Sequence, residues 1–170
     1  RYGKNKWTKA LVLNLSIGQG EVLSTPIQLA QFFCGLANNG VVFQPHLVKA
    51  TIAPDGTRNN ISPTVAFSLP FKPRTLELLK EGIRLVVEGD GGTARRLRNK
   101  LYSVGGKTGT AQNPHGDNHS WFVGVAPLEA PEIVVCAIVE NAGHGSDVAA
   151  PVVGEVIKAY MEKKFKIKEQ

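Results

Sequence analysis

The sequence predicts an α+β fold, an antiparallel β-sheet flanked by helices, on three observations. Two capped helical segments fill the first half, three β-branched runs with short links follow, and one more helical segment closes the chain. Residues 1–40 read as a helical block and 41–100 as a hairpin, a helix and a loop. Residues 101–140 read as three antiparallel strands and 147–164 as a C-terminal helix.

The first clear helix covers 25–39. Thr25 and Gln28 form a capping box, and Pro26 takes the first helical position. Ile27, Ala30, Cys34 and Ala37 recur at helical spacing, Leu29, Phe33 and Leu36 widen the stripe, and Gly40 supplies the stop. A helix apolar nearly all round is expected to be deeply packed. Residues 41–52 alternate, but Pro45 makes them an edge or broken strand, ending at the turn Ala53-Pro54-Asp55-Gly56. A second helix over 74–88 carries Leu76, Leu79, Ile83 and Val86 on one face. Gly89, Gly91 and Gly92 then impose a loop.

Strands follow over 102–112, 119–126 and 132–140, and their short links make antiparallel neighbours the economical arrangement. The closing helix, 149–163, offers Val152, Val153, Val156, Ile157 and Tyr160 to one face of that sheet. The last strand is apolar on both faces, with Val134, Cys136 and Ile138 opposite in direction to Val135, Ala137 and Val139. Such strands are covered on both sides. These few helices do that only barely, so the sequence reads as part of a larger domain. The opening residues, with no initiator Met and no signal-peptide pattern, read the same way and place any membrane anchor upstream.

Composition narrows the function. The formal net charge of +6 is concentrated in Arg95–Lys100 and Lys163–Lys168. Neither run is interleaved with aromatic stacking groups or borne on a reading helix, which argues against nucleic acid. An anionic membrane or cell-wall surface suits the charge better. Cys34 and Cys136 sit among apolar residues as small hydrophobes. His46, His115, His119 and His144 match no helix-borne metal pair, so no metal and no cofactor is predicted. Asp90-Gly91-Gly92-Thr93-Ala94 lacks the Gly-Lys-Ser/Thr ending of a phosphate loop.

The segment with most chemistry is Gly105-Gly106-Lys107-Thr108-Gly109-Thr110-Ala111-Gln112. Glycine weakens a strand interior and often marks where another backbone approaches. A ligand lying along Gly109 would pair main chain to main chain. Lys107 sets a cation beside that path, and the hydroxyls of Thr108 and Thr110 suit a carboxylate. Together they describe a dock for an extended peptide ending in a negative charge. His115, Asp117 and His119 in the following loop are candidates for the rim of the groove. Of Trp121 and Phe122, alternation sends one into the core and one out.

Lys107-Thr108-Gly109 matches the third motif of the penicillin-recognising serine enzymes. Around it stand Ile17-Gly18-Gln19-Gly20, Ser24-Thr25-Pro26-Ile27-Gln28-Leu29-Ala30, Ala37-Asn38-Asn39-Gly40, Gly92-Thr93-Ala94, Trp121-Phe122-Val123-Gly124-Val125-Ala126-Pro127, Glu140-Asn141 and Ala149-Ala150-Pro151. In that order, over most of the chain, the sequence resembles the C-terminal half of the transpeptidase domain of class B, elongation-type penicillin-binding proteins of the penicillin-binding protein 2 kind. The resemblance implies a β-lactamase/transpeptidase-like fold with only its C-terminal portion present. It implies part of a serine D,D-transpeptidase that cross-links peptidoglycan on the periplasmic face of the inner membrane. The implied partners are D-Ala-D-Ala stem peptides, β-lactams and other cell-wall synthesis proteins.

By the same resemblance Lys107 shapes the electrostatics of the site and bonds the serine of the second motif. Thr108, Gly109 and Thr110 bind substrate, and the Thr110 N–H is one of two oxyanion donors. The departures are equally informative. No serine here is followed three residues later by Lys, and none heads a Ser-x-Asn triplet. A serine acyl-transfer enzyme needs a hydroxyl within reach of a base, so the isolated chain is expected to be inactive. The rival expectations are a non-catalytic peptide-binding or assembly module, or a β-lactamase, carboxypeptidase or β-lactam sensor of the same fold.

Overall fold

The computed structural model of the protein describes residues 7–20 and 22–168. Residues 1–6 of the helical block lie outside the described residues.

Helix α1 (Lys9–Ser16), which the sequence reading did not assign, starts where the Thr8 hydroxyl accepts from the Leu11 N–H at 3.3 Å. It buries no residue, so little tertiary packing supports it. Helix α2 (Pro26–Ala37) has the predicted capping box, with Thr25 and Gln28 each accepting from the other's backbone. Asn39 and Gly40 then turn the chain out through positive φ, +51° and +93°. The deep packing expected of α2 is not found. Only Phe33, Gly35 and Leu36 are buried, and Ile27 is 54% exposed. Its inner side meets the strands described below, while nothing among the described residues covers the other.

Pro45 divides the next run, as its missing N–H requires. Strand β1 (Val41–Phe43) pairs antiparallel with β4 (Val65–Ser68), and β2 (Ala50–Ile52) with β3 (Arg58–Asn60). The sequence reading has a hairpin within 41–100 but gives no bounds for the strands that return to β1 and β2. Strands β3 and β4 are exposed throughout; β3 is wholly polar, and β4, Val-Ala-Phe-Ser, is only four residues long. The turn at 53–56 is where it was expected, with Gly56 at φ +85° and the Thr57 N–H donating to the Asp55 carboxylate at 2.9 Å.

Helix α3 (Pro73–Glu88) buries Leu76, Ile83 and Val87. Its C-terminal carbonyls would be orphaned without a donor. Arg98 supplies one, its Nε donating to Val87 O at 2.9 Å and its Nη2 to Glu88 O and Gly89 O at 2.7 and 2.8 Å. Part of the basic run at 95–100 is therefore a helix cap.

The central sheet has β6 (His119–Ala126) in the middle, β5 (Gly105–Ala111) on one side and β7 (Ile133–Val139) on the other, all antiparallel. Phe122 and Ala126 face helix α4 (Ala149–Lys168) and pack with Val153, Ile157 and Met161. Val123 and Val125 face the other way, onto Phe33 of α2 and Ile83 of α3. Of the aromatic pair, Phe122 is fully buried and Trp121 half-buried. The predicted α4 stripe needs correction. The buried row is Ala149, Ala150, Val153, Ile157 and Met161, whereas Val152, Val156 and Tyr160 are exposed. Residues four apart share a face, and the two valine rows lie one residue, hence one face, apart.

Desolvation raises the pKa of both thiols above the ordinary value, although Cys34, expected as a buried hydrophobe, is exposed and Cys136 half-buried. The fold therefore favours the neutral thiol. That contribution to stability is whole below about pH 8.5 and is lost as pH rises through the folded values. At pH 8 Cys136 should react with iodoacetamide more slowly in the native chain than in denaturant, as timed mass spectrometry with peptide mapping would show.

Candidate functional site

Strand β5 pairs only with β6 among the described residues, so its far side is a sheet edge. Helix α3 lies beside its first residues. A Cβ built on Gly105 would come within 3.2 Å of the Ile83 carbonyl oxygen. Among the described residues, the far edge from Lys107 onward borders no strand.

The register sorts the side chains. Lys107, Gly109 and Ala111 oppose Val123, Trp121 and His119, whereas Gly106, Thr108 and Thr110 oppose Gly124, Phe122 and Ser120. Directly opposed residues share a face, so the two threonines lie on the α4 side and the lysine on the α2 side. Gly106 is imposed by packing, since a Cβ there would sit 2.6 Å from Phe122 Cζ and against the Val123 carbonyl oxygen.

Two contacts reveal where the main chain points. Gln19 Nε2 donates to Thr110 O at 2.9 Å, and Lys107 Nζ donates to Thr108 O at 2.6 Å. In an antiparallel strand the N–H and C=O of one residue point the same way, and successive residues alternate. Thr108 and Thr110 therefore turn their N–H and C=O groups to the open edge. The exposed Lys107 ammonium folds over that same edge. Thr93, in the loop after α3, brings its hydroxyl 2.8 Å from the Thr108 hydroxyl. Gly92 permits the approach, because a Cβ there would meet the Val86 and Leu85 carbonyl oxygens at 2.5 and 2.7 Å.

The loop from β7 to α4 is strapped across the α4 face beside the threonines. Fully buried Ser120 donates to His144 O and accepts from the Ala149 N–H, both at 3.0 Å. The Asn141 N–H donates to His119 Nδ1 at 3.0 Å, and Asn118 O accepts from the Ala142 and Gly143 N–H groups. Gly145 rests on the ladder itself. A Cβ there would be 2.9 Å from Gly109 N and nearer still to the carbonyl oxygens of Gly109 and Trp121. Gly109 thus lies under this strap on one face.

Of the residues singled out by sequence, Lys107, Thr108 and Thr110 lie along one edge of β5. His115 and Asp117 lie exposed in the β5–β6 turn, and the His119 ring is engaged by Asn141. Sequence reasoning gave no role in the site to Gln19, Thr93, Ser120 or Gly145. Gln19 reaches its partner across 91 positions, and no local pattern announces such a contact. The Gly-Gln-Gly string was its one signal.

Ser120→Ala should destabilise the chain by about 1–3 kcal/mol, because it strands the buried Ala149 N–H. Urea unfolding with an unchanged slope would show it. A loss below a few tenths of a kcal/mol would mean the strap is not held there.

Residues 2–158 match the family model described as the penicillin-binding protein transpeptidase domain. A peptidoglycan D,D-transpeptidase MrdA of Haemophilus influenzae is 34% identical over 95% of this chain and 27% of its own length. Penicillin-binding protein PbpB of Mycolicibacterium smegmatis is 32% identical over 89% of this chain and 26% of its own. Among solved structures, Pseudomonas aeruginosa PBP2 in complex with WCK 5153 superposes with a TM-score of 0.76. It has 38% identity and covers 92% of this chain and 34% of that one. Penicillin-binding protein A of Mycobacterium tuberculosis, as its imipenem acyl-enzyme complex, gives 0.74 at 31% identity over 91% of this chain and 34% of that one. The chain spans about a quarter of the length of the curated relatives it matches.

Proposed function

This chain belongs to the penicillin-binding protein transpeptidase domain family, and from that premise we propose that it is the substrate-docking portion of a peptidoglycan D,D-transpeptidase. The observation that supports this is the open β5 edge, with Thr108 and Thr110 presenting their main-chain groups and Lys107 beside them.

A stem peptide adds to that edge as an extended strand. Its terminal carboxylate is held by the Thr108 and Thr110 hydroxyls, with Thr93 orienting the first of them. The Lys107 ammonium supplies compensating charge. The Thr110 N–H donates to the oxygen of the reacting carbonyl, where a preorganised donor is worth about 10²–10³ in rate. The nucleophilic serine, its lysine and the second oxyanion donor belong to a Ser-x-x-Lys half outside these 170 residues. A β-lactam carries an equivalent carboxylate and acylating carbonyl, and takes the same place. The setting is the extracytoplasmic face of the inner membrane, among other cell-wall synthesis proteins.

Fluorescent penicillin tests the reading. The 170-residue chain should remain unlabelled, and the polypeptide lengthened through the Ser-x-x-Lys half should form a covalent adduct. Labelling of the short chain would place a nucleophile where none is assigned. An unlabelled long chain that still binds D-Ala-D-Ala peptides reversibly would favour a non-catalytic binding module instead.

A further inference from the structure

We infer that Gln19 is a specificity-determining residue of the docking edge. Its carboxamide occupies the acceptor at Thr110 O and yields it only to a ligand that brings an N–H in strand register. The inference rests on the docking role proposed above.

Thr110 O and Thr110 N–H point together to the open edge. In an antiparallel pair a hydrogen-bonded residue exchanges both of its main-chain groups with the same partner. A peptide whose reacting carbonyl oxygen meets the Thr110 N–H therefore directs the N–H of that same residue at Thr110 O. Gln19 Nε2 already donates there at 2.9 Å, in the manner of the N–H of an added strand. Ligand and side chain compete for one acceptor.

The local structure suits displacement. Gly18 and Gly20 flank Gln19 at φ +76° and +96°, conformations that glycine alone adopts at no cost. A Cβ at Gly18 would meet nothing within 4 Å, so the turn's shape, not crowding, calls for glycine. The turn hangs on the end of α1, through the Gln19 N–H to Asn14 O at 2.9 Å and the Gly18 N–H to Leu15 O at 3.0 Å. Helix α1 buries no residue, and Val12, Leu13 and Ile17 are more than half exposed. In the 170-residue chain an element so lightly packed opens at small cost. A ligand with the matching N–H exchanges one hydrogen bond for another. A ligand without it either leaves Gln19 in place and forgoes the contact, or strands the carbonyl.

The test pairs two probes on the full 170-residue chain, acetyl-D-alanyl-D-alanine and its analogue with the acetamide replaced by an ester, which lacks that one N–H. Affinity is read by ¹⁵N-resolved NMR titration. Gln19→Ala should bind the amide about two- to tenfold tighter than the native chain, one net hydrogen bond's worth, and should gain nothing for the ester. In the native chain the Gln19 side-chain amide signals should move to their free positions as the amide probe saturates. Gln19→Met keeps the length without the donor, and should repeat the result if alanine loosens the turn. Equal weakening for both probes, or Gln19 signals unmoved at saturation, overturns the inference and leaves docking intact. Failure of native and variant chains alike to bind the amide overturns docking and this inference with it. In that case, shifted Gln19 signals in the ligand-free chain would locate the fault in docking itself.

Discussion

Lys107→Ala, made in the polypeptide that carries the nucleophile, should lower the rate of penicillin acylation by about 10²–10³-fold, a loss typical of one preorganised polar group at a developing charge. Lys107 is exposed and, among the described residues, donates to the neighbouring Thr108 carbonyl alone. Its removal should therefore change stability by no more than about 0.5 kcal/mol. Lys107→Arg should not restore the rate, because a planar guanidinium on a longer reach does not replace a compact ammonium. Stopped-flow acylation beside a urea titration separates the two effects. A full rate with Lys107→Ala would remove the lysine from the chemistry.

Phe122→Ala should cost about 3–5 kcal/mol, a large share of the roughly 5–15 kcal/mol that holds a domain together. Phe122 is fully buried in the α4 core and lies directly across from Thr108. A Cβ built on Gly106 or Gly124 would reach its ring, at 2.6 and 3.2 Å. Glycines on both sides make room for this ring, so its removal leaves a cavity with little able to collapse into it. The unfolding midpoint in urea should fall sharply, and β5 should lose amide-exchange protection together with α4. Uncoupled loss of β5 protection would separate the docking strand from the core.

Much of this was readable in the sequence wherever local chemistry decides the outcome. The capping box at Thr25 and Gln28, the turn at Gly56 and the β5–β6–β7 meander all rest on contacts between near neighbours. So does the alternation that buries Phe122 and leaves Trp121 half-buried. The misreadings have a common cause. The sequence offers Val152, Val153, Val156, Ile157 and Tyr160 as the α4 stripe, since hydrophobicity alone ranks valine and tyrosine above alanine. Val153 and Ile157 are buried, but Val152, Val156 and Tyr160 are not. Close packing onto the sheet adds Ala149, Ala150 and Met161 to the buried row. Helix α2 was expected to be buried on composition alone, yet one face of it meets nothing among the described residues. Strand β3, wholly polar and exposed, carries no alternation to read, and β4 has too few residues to set a period.

The candidate site divides in the same way. Lys107, Thr108 and Thr110 announce themselves as a short string. What surrounds them comes from far along the chain. Ser120 caps a helix 29 positions away, and Gln19 meets Thr110 across 91. Glycines with no side chain to argue from, Gly145 above all, allow those approaches. Sequence pattern singles out the proposed dock, and tertiary packing builds its surroundings.

The most decisive observation is a titration of the ¹⁵N-labelled chain with acetyl-D-alanyl-D-alanine and with its C-terminal amide, which lacks the carboxylate. If the β5 edge receives a carboxylate-terminated main chain, the largest shifts fall on Thr108 to Ala111. The Thr110 N–H gains protection from exchange, and the amidated peptide binds markedly more weakly. Shifts centred elsewhere, such as the cavity of about 320 Å³ between the basic run at 96–99 and α4, or equal binding of both peptides, would contradict it.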